Sequence, residues 1–288
     1  MTVDAIVLDI DGVLIDVHDS YRRAVVESVE QVYGTTVSKS AIQPFKNASG
    51  FNNDWELTHA IALYVLARNE GLELDIPSFT NEVAIVGGGR QGARTVVADS
   101  LDPAARERVL TAWDPERLTT VFQQLYLGSE LYEQLHDATA TLDTTGFIHD
   151  EPVLLEPSTR DRLDDWELGV FTGRPGAEAT IALDRVGLEI AKERCYTMDS
   201  PTPGKPAPDA LCEIAASMAR CETVAFVGDT LDDIETAHNA NETDDDHTYV
   251  PVGVETGGLN GEEGRQLLAD AGAKIVVESI NELPVALT

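Results

Sequence analysis

The sequence predicts an α/β protein in which a parallel sheet, with helices on both faces, carries an inserted all-helical module. The first observation is a short apolar run, Ala5–Leu8, that ends in an acid- and glycine-containing loop. The second is that similar apolar runs alternate with helical patterns after Pro152, an alternation typical of parallel sheets. The third is a long intervening block in which strand patterns are scarce and helical periodicity dominates.

The first elements follow from the spacing of apolar residues. Ala5–Leu8 is short and apolar throughout, which is the pattern of a strand buried on both faces. From about Asp19 the apolar side chains recur at i, i+4, i+8 and i+11, one stripe of an amphipathic helix: Tyr21, Val25, Val29 and Val32. A second helix is predicted to begin at Asn53, where Glu56 three residues later completes the pattern of a capping box.

The remaining elements are predicted in the same way. Further helices are expected over residues 103–110 and 115–127. The later strands are 168–171, 196–198, 223–227, 248–252 and 274–277, and the helices between them include 206–218, 230–239 and 262–271. Pro175 suits the first turn of the helix that follows the second strand. We therefore predict a Rossmann-like core formed by residues 1–17 and 152–288, and a helical cap formed by residues 18–151.

The composition is strongly acidic: 51 Asp and Glu residues against 20 Lys and Arg give a formal net charge of −31. Such a charge argues against nucleic-acid binding, which needs basic groups to neutralise phosphates, and against docking on anionic membranes. The excess of acids with only 5 lysines resembles proteins from salt-rich cytoplasms, which predicts a halophilic protein. An ordinary acidic enzyme is the alternative. With 43% hydrophobic residues, the chain can bury a core.

Cysteine usage and the first residues indicate a cytoplasmic protein. The three cysteines form no CxxC pair and no even set, so reduced structural thiols are expected: Cys195, Cys212 and Cys221. The first residues lack the basic segment of a signal peptide and run directly into the first strand. No stretch approaches the roughly 18 apolar residues that a membrane-spanning helix needs.

Four polar clusters fall at or near predicted strand ends. In an open parallel sheet these ends share one edge, where ligands bind. The clusters are Asp9-Ile10-Asp11-Gly12, Thr172-Gly173-Arg174, Gly204-Lys205-Pro206 and Gly228-Asp229-Thr230-Leu231-Asp232-Asp233. Acids gathered there repel one another unless a cation is present, and carboxylate oxygens with room for water suit Mg²⁺. The sequence therefore predicts a magnesium site at this edge.

Taken in order, these clusters resemble the motifs of the haloacid dehalogenase-like hydrolases. The matching features are Asp9-x-Asp11-Gly12, the apolar strand into Thr172-Gly173, Lys205 in a GKP setting, and Gly228-Asp229-x-x-x-Asp233. Each motif alone is weak, but all four in order, each near a predicted strand end, are specific together. A helical insertion between the first and second motifs resembles the subfamily with a helical cap, which includes phosphoglycolate phosphatase-like enzymes.

The resemblance implies a phosphatase mechanism in which each motif has a role. Asp9 would attack the substrate phosphorus to give an aspartyl-phosphate, and Asp11 would protonate the leaving oxygen and then deprotonate water. Thr172 and the backbone amide of Gly173 would hold phosphoryl oxygens, while Lys205 would offset negative charge. The resemblance places Mg²⁺ on four ligands: Asp9, the backbone carbonyl of Asp11, Asp229 and, directly or through water, Asp233.

Basic residues outside the motifs are candidates for substrate contacts. Arg174 directly follows the second motif, so a contact with substrate or phosphate is predicted for it. In the helical block, Lys46 lies in a polar stretch and Arg90 lies in a glycine-rich segment, residues 86–92. That segment formally matches GxGxxG but follows no clear strand, so a dinucleotide site is not expected. The segment is either a turn between helices or a flexible loop that presents Arg90 or Arg94 to the substrate.

The second aspartate selects among the chemistries of the family. Relatives that act as dehalogenases are not expected to carry Asp11, and relatives that cleave phosphonates use a cap lysine, for which Lys46 is a candidate, but typically lack an acid at this position. We therefore predict a Mg²⁺-dependent phosphatase of a small phosphorylated metabolite. A phosphosugar mutase and a non-catalytic phosphometabolite-binding protein are the alternatives. Neither the substrate nor the oligomeric state follows from the sequence.

Overall fold

The computed structural model describes residues 2–48, 50–51, 53–219 and 221–287. The chain divides into two compact units. The core unit comprises Met1–His18 and Glu151–Thr288, and the helical unit comprises Asp19–Asp150. In the described part of the chain, no helix is long and apolar enough to cross a membrane.

The core unit is built on a six-stranded sheet in which every pairing is parallel. The strands are β1 Ala5–Leu8, β2 Glu167–Phe171, β3 Cys195–Tyr196, β4 Thr223–Gly228, β5 Thr248–Val254 and β6 Ile275–Val277. Their order is β3-β2-β1-β4-β5-β6, so β1 lies between β2 and β4. Leu8 at the end of β1 lies opposite Val170 and Val227. The predicted parallel α/β sheet is confirmed, and the loops after β1, β2 and β4 meet at one edge.

The apolar sequence of β1 follows from burial on both faces of the sheet. All four residues of the strand are fully buried. Ile6 and Leu8 pack in one apolar cluster, and Ala5 and Val7 pack in the other, as the alternation of side chains along a strand requires. Burying a large aliphatic side chain contributes about 1.5–3 kcal/mol. The central strand is therefore a stable base for the polar loop that follows it.

The described residues of the helical unit form helices and no strand. Its α-helices are α1 Ser20–Tyr33, α2 Ile42–Asn47, α3 Asp54–Asn69, α4 Ile76–Ile85, α5 Gly89–Ser100, α6 Pro103–Ala112, α7 Pro115–Leu127 and α8 Ser129–His136. Three of them, α4, α6 and α7, begin after an aspartate that accepts N–H groups of the first turn: Asp75, Asp102 and Asp114. Each of these helices also has a proline in its first two positions, which costs no hydrogen bond there.

Residues 86–88 of the glycine-rich segment form a turn between α4 and α5, and residues 89–92 are the first four residues of α5. Gly88 precedes α5 with a φ of 72°, a left-handed backbone conformation that favours glycine.

The interior of the helical unit contains the aromatic rings of Phe45, Tyr64 and Phe79, whose centroids lie 5.0–5.9 Å apart.

The helices of the core unit follow or connect the strands. They are α9 Pro157–Leu163, α10 Gly176–Val186, α11 Asp209–Ala216, α12 Leu231–Thr243, α13 Gly261–Asp270 and α14 Leu283–Ala286. The prediction of a helix from residue 206 is wrong at its start, because Pro206 and Pro208 disfavour helical backbone in the residues before them. The predicted strand 196–198 is displaced, since Thr197 begins a turn whose carbonyl accepts the N–H of Ser200 at 3.0 Å. Pro175 immediately precedes α10 rather than lying within its first turn.

Candidate active site

The loop after β1 begins with Asp9, and glycine shapes its path. The N–H of Asp9 donates to the carbonyl of Val227 at 2.9 Å, which continues the pairing of β1 with β4. Gly12 has a φ of 70°, and a side chain there would lie 2.5 Å from a carboxylate oxygen of Asp229. The glycine of the first motif therefore allows the β1 loop to approach the β4 loop closely.

Three carboxylates converge at this edge of the sheet. Asp9, Asp229 and Asp233 are buried, and one carboxylate oxygen from each lies within 4.8 Å of the others. Asp229 accepts no hydrogen bond from any residue that the structure describes. Burial raises the pKa of Asp229 well above its usual value, and the charges of Asp233 and Asp9 raise it further. Buried negative charge of this kind is stable only when positive charge offsets it.

Lys205 supplies one positive charge to the carboxylates. Its ammonium nitrogen lies 2.7 Å from Oδ2 of Asp9 and 2.6 Å from Oδ1 of Asp233. Burial alone would lower the pKa of Lys205, but the two carboxylates outweigh burial and raise it. Burial raises the pKa of Asp9 to about 6, and Lys205 opposes that shift. One lysine does not balance three carboxylates, so the site carries an excess of negative charge.

Asp233 is held in place by the start of α12. The hydroxyl of Thr230 donates to Oδ2 of Asp233 at 2.6 Å, and the backbone N–H of Thr230 donates to the same oxygen at 3.0 Å. The N–H of Asp233 donates back to the hydroxyl of Thr230 at 3.3 Å, which completes a capping box. Both carboxylate oxygens of Asp233 are thus bonded within the protein, one to Thr230 and one to Lys205. The neighbouring Asp232 is exposed.

The donor set fits a hard divalent cation. The carboxylate of Asp229 is buried and accepts no hydrogen bond from a described residue. A carboxylate oxygen of Asp9 lies within 4.8 Å of one of its oxygens. Among the described residues, the cluster that could hold a metal ion consists of Asp9, Asp229 and Asp233. All its potential ligand atoms are therefore carboxylate oxygens, and it contains no cysteine or histidine. Oxygen donors of this kind are the ligands that Mg²⁺ prefers, whereas Zn²⁺ sites usually include nitrogen or sulfur.

The second motif forms an open turn at the end of β2. The N–H of Thr172 donates to the carbonyl of Tyr196 in β3 at 3.0 Å, and its hydroxyl accepts the N–H of Arg174 at 3.3 Å. Thr172 is buried, whereas Gly173 is exposed, with no atom within 4 Å of the place where a side chain would stand. The turn therefore presents accessible backbone beside the β1 loop.

Arg174 lies in the interior and binds two acids. Its side chain has no exposed surface, and its Nε lies 2.5 Å from Oδ1 of Asp11. A terminal nitrogen of the same guanidinium lies 3.1 Å from Oε2 of Glu151. Sequence reasoning missed Glu151 because it belongs to no motif and no spacing links it to Asp11. The available signal was that an arginine placed inside a core needs acidic partners.

A further acid near this arginine also escaped the sequence analysis. Glu178, in the first turn of α10, is buried. Burial raises the pKa of Glu178 to about 7, and the charge of Arg174 opposes that shift. No hydrogen bond joins Glu178 to another described side chain. The pattern of the sequence carried no signal for it, since acidic residues are common throughout the chain.

The two other predicted substrate contacts belong to the helical unit. Lys46 in α2 is exposed, lies 3.2 Å from Oδ1 of Asp54, and lines a cavity of about 280 Å³ together with Leu57. Arg90, the second residue of α5, is exposed. Burial lowers the pKa of His59 to about 4, and the charge of Arg90 contributes to that shift. A contact of Lys46 or Arg90 with substrate stays a prediction.

Comparison with known families identifies one enzyme family. The family of haloacid dehalogenase-like hydrolases matches residues 3–241. The chain therefore belongs to the haloacid dehalogenase-like hydrolases, and the prediction of a hydrolase is confirmed. A curated relative, imidazoleglycerol-phosphate dehydratase from Phytophthora nicotianae, is 27% identical over 233 residues. That match covers 81% of this chain and 40% of the relative, so the chain spans about two fifths of the relative's length.

Solved structures share the fold over almost the whole chain. Phosphatase Tt82 from Thermococcus thioreducens is 23% identical with a TM-score of 0.64, covering 92% of this chain and 98% of that chain. A predicted phosphoglycolate phosphatase from Haemophilus somnus is 13% identical with a TM-score of 0.57, covering 100% of this chain and 99% of that chain. At these identities the likeness establishes the fold.

Proposed function

We propose that the protein is a Mg²⁺-dependent phosphatase that hydrolyses a small phosphorylated metabolite through an aspartyl-phosphate on Asp9. One observation carries the proposal. At the end of the central strand, a carboxylate oxygen of buried Asp9 lies 2.7 Å from the ammonium nitrogen of Lys205. Beside it lies Asp229, whose carboxylate accepts no hydrogen bond from a described residue. A site with this excess of buried oxygen donors is suited to a cation, and the cation and the lysine together suit an anionic phosphoryl group.

The metal would be held by Asp9, Asp229 and the backbone carbonyl of Asp11. Because both oxygens of Asp233 are bonded within the protein, we assign Asp233 a contact through water. When bound, the cation supplies positive charge that lets the carboxylate of Asp9 and a phosphate group approach each other.

The residues of the chain account for two successive displacements at phosphorus. A carboxylate oxygen of Asp9 attacks phosphorus, so that an O–P bond to Asp9 forms while the ester P–O bond breaks and its electron pair passes to the leaving oxygen. Asp11 donates a proton to that oxygen. Water then attacks phosphorus and gives its proton to Asp11, the bond to Asp9 breaks, and inorganic phosphate leaves. Asp9 and Asp11 return to their starting states.

The other motif residues bind and orient the phosphoryl group. Thr172 and the backbone amide of Gly173, which line the open turn beside the β1 loop, hold its oxygens. Lys205 offsets negative charge on Asp9 while the phosphoryl group is present. Lys46 and Arg90 are the proposed substrate contacts of the helical unit.

The substrate is proposed only as a class, a small phosphate monoester. Phosphoglycolate, sugar phosphates, nucleotides and amino-alcohol phosphates belong in the first screen. The curated relative is named for a phosphorylated imidazole compound, and the chain covers only part of that relative. Imidazole-bearing phosphate esters therefore belong in the same screen.

Hydrolysis of 4-nitrophenyl phosphate at high KCl tests the proposed function. We expect release of inorganic phosphate by the unmodified protein with Mg²⁺ and loss of release in EDTA. Asp9→Asn should reduce the rate by about a thousandfold or more, since it removes the nucleophile. Asp232→Asn is the matched control, because Asp232 is an exposed acid in the same cluster of motifs, and its rate should stay within about twofold of the unmodified protein.

Two results would contradict the phosphatase. Equal release by the Asp9→Asn variant would show that another group does the chemistry. Conversion of a sugar phosphate into its isomer without net release of phosphate would instead support the mutase.

A further inference from the structure

A buried network of ion pairs surrounds Arg174. Arg174 is the largest fully buried side chain in the described part of the protein, and its guanidinium has no exposed surface. A guanidinium in such a place is stable only with acidic partners in good geometry. Here Nε faces Asp11 at 2.5 Å and a terminal nitrogen faces Glu151 at 3.1 Å.

Glu151 is itself fixed from two directions. Its side chain is 1% exposed, and Arg185 approaches it both at the carboxylate, at 3.9 Å, and at the backbone carbonyl. The chain immediately after it pairs with the β1 loop: the N–H of Asp16 donates to the carbonyl of Pro152 at 2.9 Å. Glu151 is therefore anchored to the same loop that carries Asp11.

Asp11 is less constrained than these partners. Its side chain is 29% exposed, and Oδ1 is bonded to Arg174. The other oxygen, Oδ2, accepts no hydrogen bond from any residue within the described ranges. One oxygen is thus held by the interior, while the other is left for a proton that enters or leaves the site.

We infer that Arg174, held by Glu151, is a positioning residue that sets the orientation of the Asp11 carboxyl group for proton transfer. This inference rests on the proposed function, in which Asp11 exchanges protons with the leaving oxygen and with water. It replaces the predicted role of Arg174 as a substrate contact, because a side chain with no exposed surface does not reach a substrate. Arg174 acts through Asp11 and contacts neither the substrate nor the metal.

The planar guanidinium group, with several N–H donors, explains why this position is an arginine. Nε binds Asp11 while a terminal nitrogen binds Glu151, so one rigid plane fixes the two carboxylates relative to each other. A lysine keeps the charge but offers a single nitrogen, which does not reproduce both contacts in fixed geometry. Arg174→Lys therefore separates the positioning role from the role of charge alone.

The test compares a substrate that needs a general acid with one that does not. Glycerol 2-phosphate has an alkoxide leaving group that must be protonated, whereas 4-nitrophenolate leaves readily without a proton. We expect Arg174→Lys and Glu151→Gln to reduce kcat for glycerol 2-phosphate by about tenfold to a hundredfold. The formation of the phosphoenzyme from 4-nitrophenyl phosphate, followed as the first-turnover burst of 4-nitrophenolate, should change less than about threefold.

A double-mutant cycle separates positioning from general damage. In an Asp11→Asn background, Arg174→Lys should cause little further loss with glycerol 2-phosphate, because the residue that it positions is already gone. Tyr249→Phe is the matched control. Tyr249 is a buried residue of the same sheet whose hydroxyl donates to Asp244 at 2.5 Å. Its loss should not change the ratio between kcat for glycerol 2-phosphate and the rate of the 4-nitrophenolate burst.

Losses that are equal for both substrates, or that add fully to the Asp11→Asn loss, would overturn the inference. A crystal structure of the Glu151→Gln variant provides a readout that needs no activity. The inference predicts a displaced or multiply oriented Asp11 carboxyl group, and an unchanged Asp11 would overturn it even if the variants of Arg174 do not fold. If the unmodified protein hydrolyses neither substrate, the proposed function fails, while the crystal structure still decides the positioning of Asp11.

Discussion

Replacing Asp229 by asparagine should stabilise the metal-free protein while abolishing its activity. Asp229 is buried, accepts no hydrogen bond within the described residues, and faces the carboxylates of Asp9 and Asp233 within 4.8 Å. Asparagine has nearly the same volume and no charge, so it removes repulsion without opening a cavity. The same change removes a proposed metal ligand. Stability in EDTA and activity with Mg²⁺ should therefore move in opposite directions.

The magnitude follows from the separation of the charges. Two unit charges about 4.8 Å apart repel by roughly 3 kcal/mol at an effective dielectric constant of about 20. Asp229 faces two such neighbours, but Lys205 offsets part of the repulsion, and partial protonation in the unmodified protein offsets more. A net gain of about 1–3 kcal/mol remains for Asp229→Asn. At about 2–4 °C per kcal/mol, the melting temperature in EDTA should rise by several degrees.

The assay is thermal unfolding in EDTA and in a titration of Mg²⁺. The unmodified protein should gain about 2.7 kcal/mol when Mg²⁺ reaches a hundred times its dissociation constant, and Asp229→Asn should gain far less. The curves of melting temperature against Mg²⁺ should thus converge or cross. The control Asp232→Asn should stay within about 0.5 kcal/mol of the unmodified protein. A lower melting temperature for Asp229→Asn in EDTA would show that repulsion among these carboxylates does not destabilise the metal-free protein.

Three further predictions concern stability. Raising KCl from 0.1 M to about 2 M should raise the melting temperature, because salt screens the repulsion of a net charge of −31; an unchanged or lower value would contradict salt adaptation. The folded-state pKa of His59 is lowered to about 4, so the unfolded chain binds its proton more tightly, and stability should fall as pH drops from about 6.5 to 4. In urea titrations His59→Gln should lessen that fall by about 1–2 kcal/mol, and an identical pH dependence would be the contrary result. Asn53→Ala should cost about 1 kcal/mol, because Asn53 accepts the N–H of Glu56 at 2.9 Å at the start of α3, and an unchanged urea midpoint would argue against that cap.

The central strands and the motif loops were predictable because local sequence determines them. Ala5–Leu8 is apolar at every position since both faces of β1 are buried, and β4 follows the same rule. Gly12 marks the close approach of the β1 and β4 loops, where a side chain would overlap Asp229. A side chain at Gly228 would overlap Asp233 within the same motif. The order of strands then brings Asp9 and Asp229 together, as expected for neighbouring carboxyl ends of a parallel sheet.

Other features depend on contacts that no local pattern records. β3 has two residues, and its limits depend on a turn that begins at Thr197. Glu151 is 140 residues from Asp11, and only the fold brings both to Arg174. The prediction of Arg174 as a substrate contact used its place beside the second motif, which does not reveal whether a side chain points outward or inward. In the structure this side chain has no exposed surface and binds Asp11 and Glu151.

Trapping the phosphoenzyme shows whether Asp9 is the nucleophile. Asp11→Asn should still form the phosphoenzyme from 4-nitrophenyl phosphate, since that leaving group needs no proton, but should hydrolyse it slowly because the base for water is missing. Mass spectrometry after an acid quench should then find one phosphoryl group per chain on the peptide that contains Asp9, only when Mg²⁺ is present. Asp9→Asn should carry none. A phosphoryl group on another residue, or hydrolysis at full rate with no label on Asp9, would show that Asp9 is not the nucleophile.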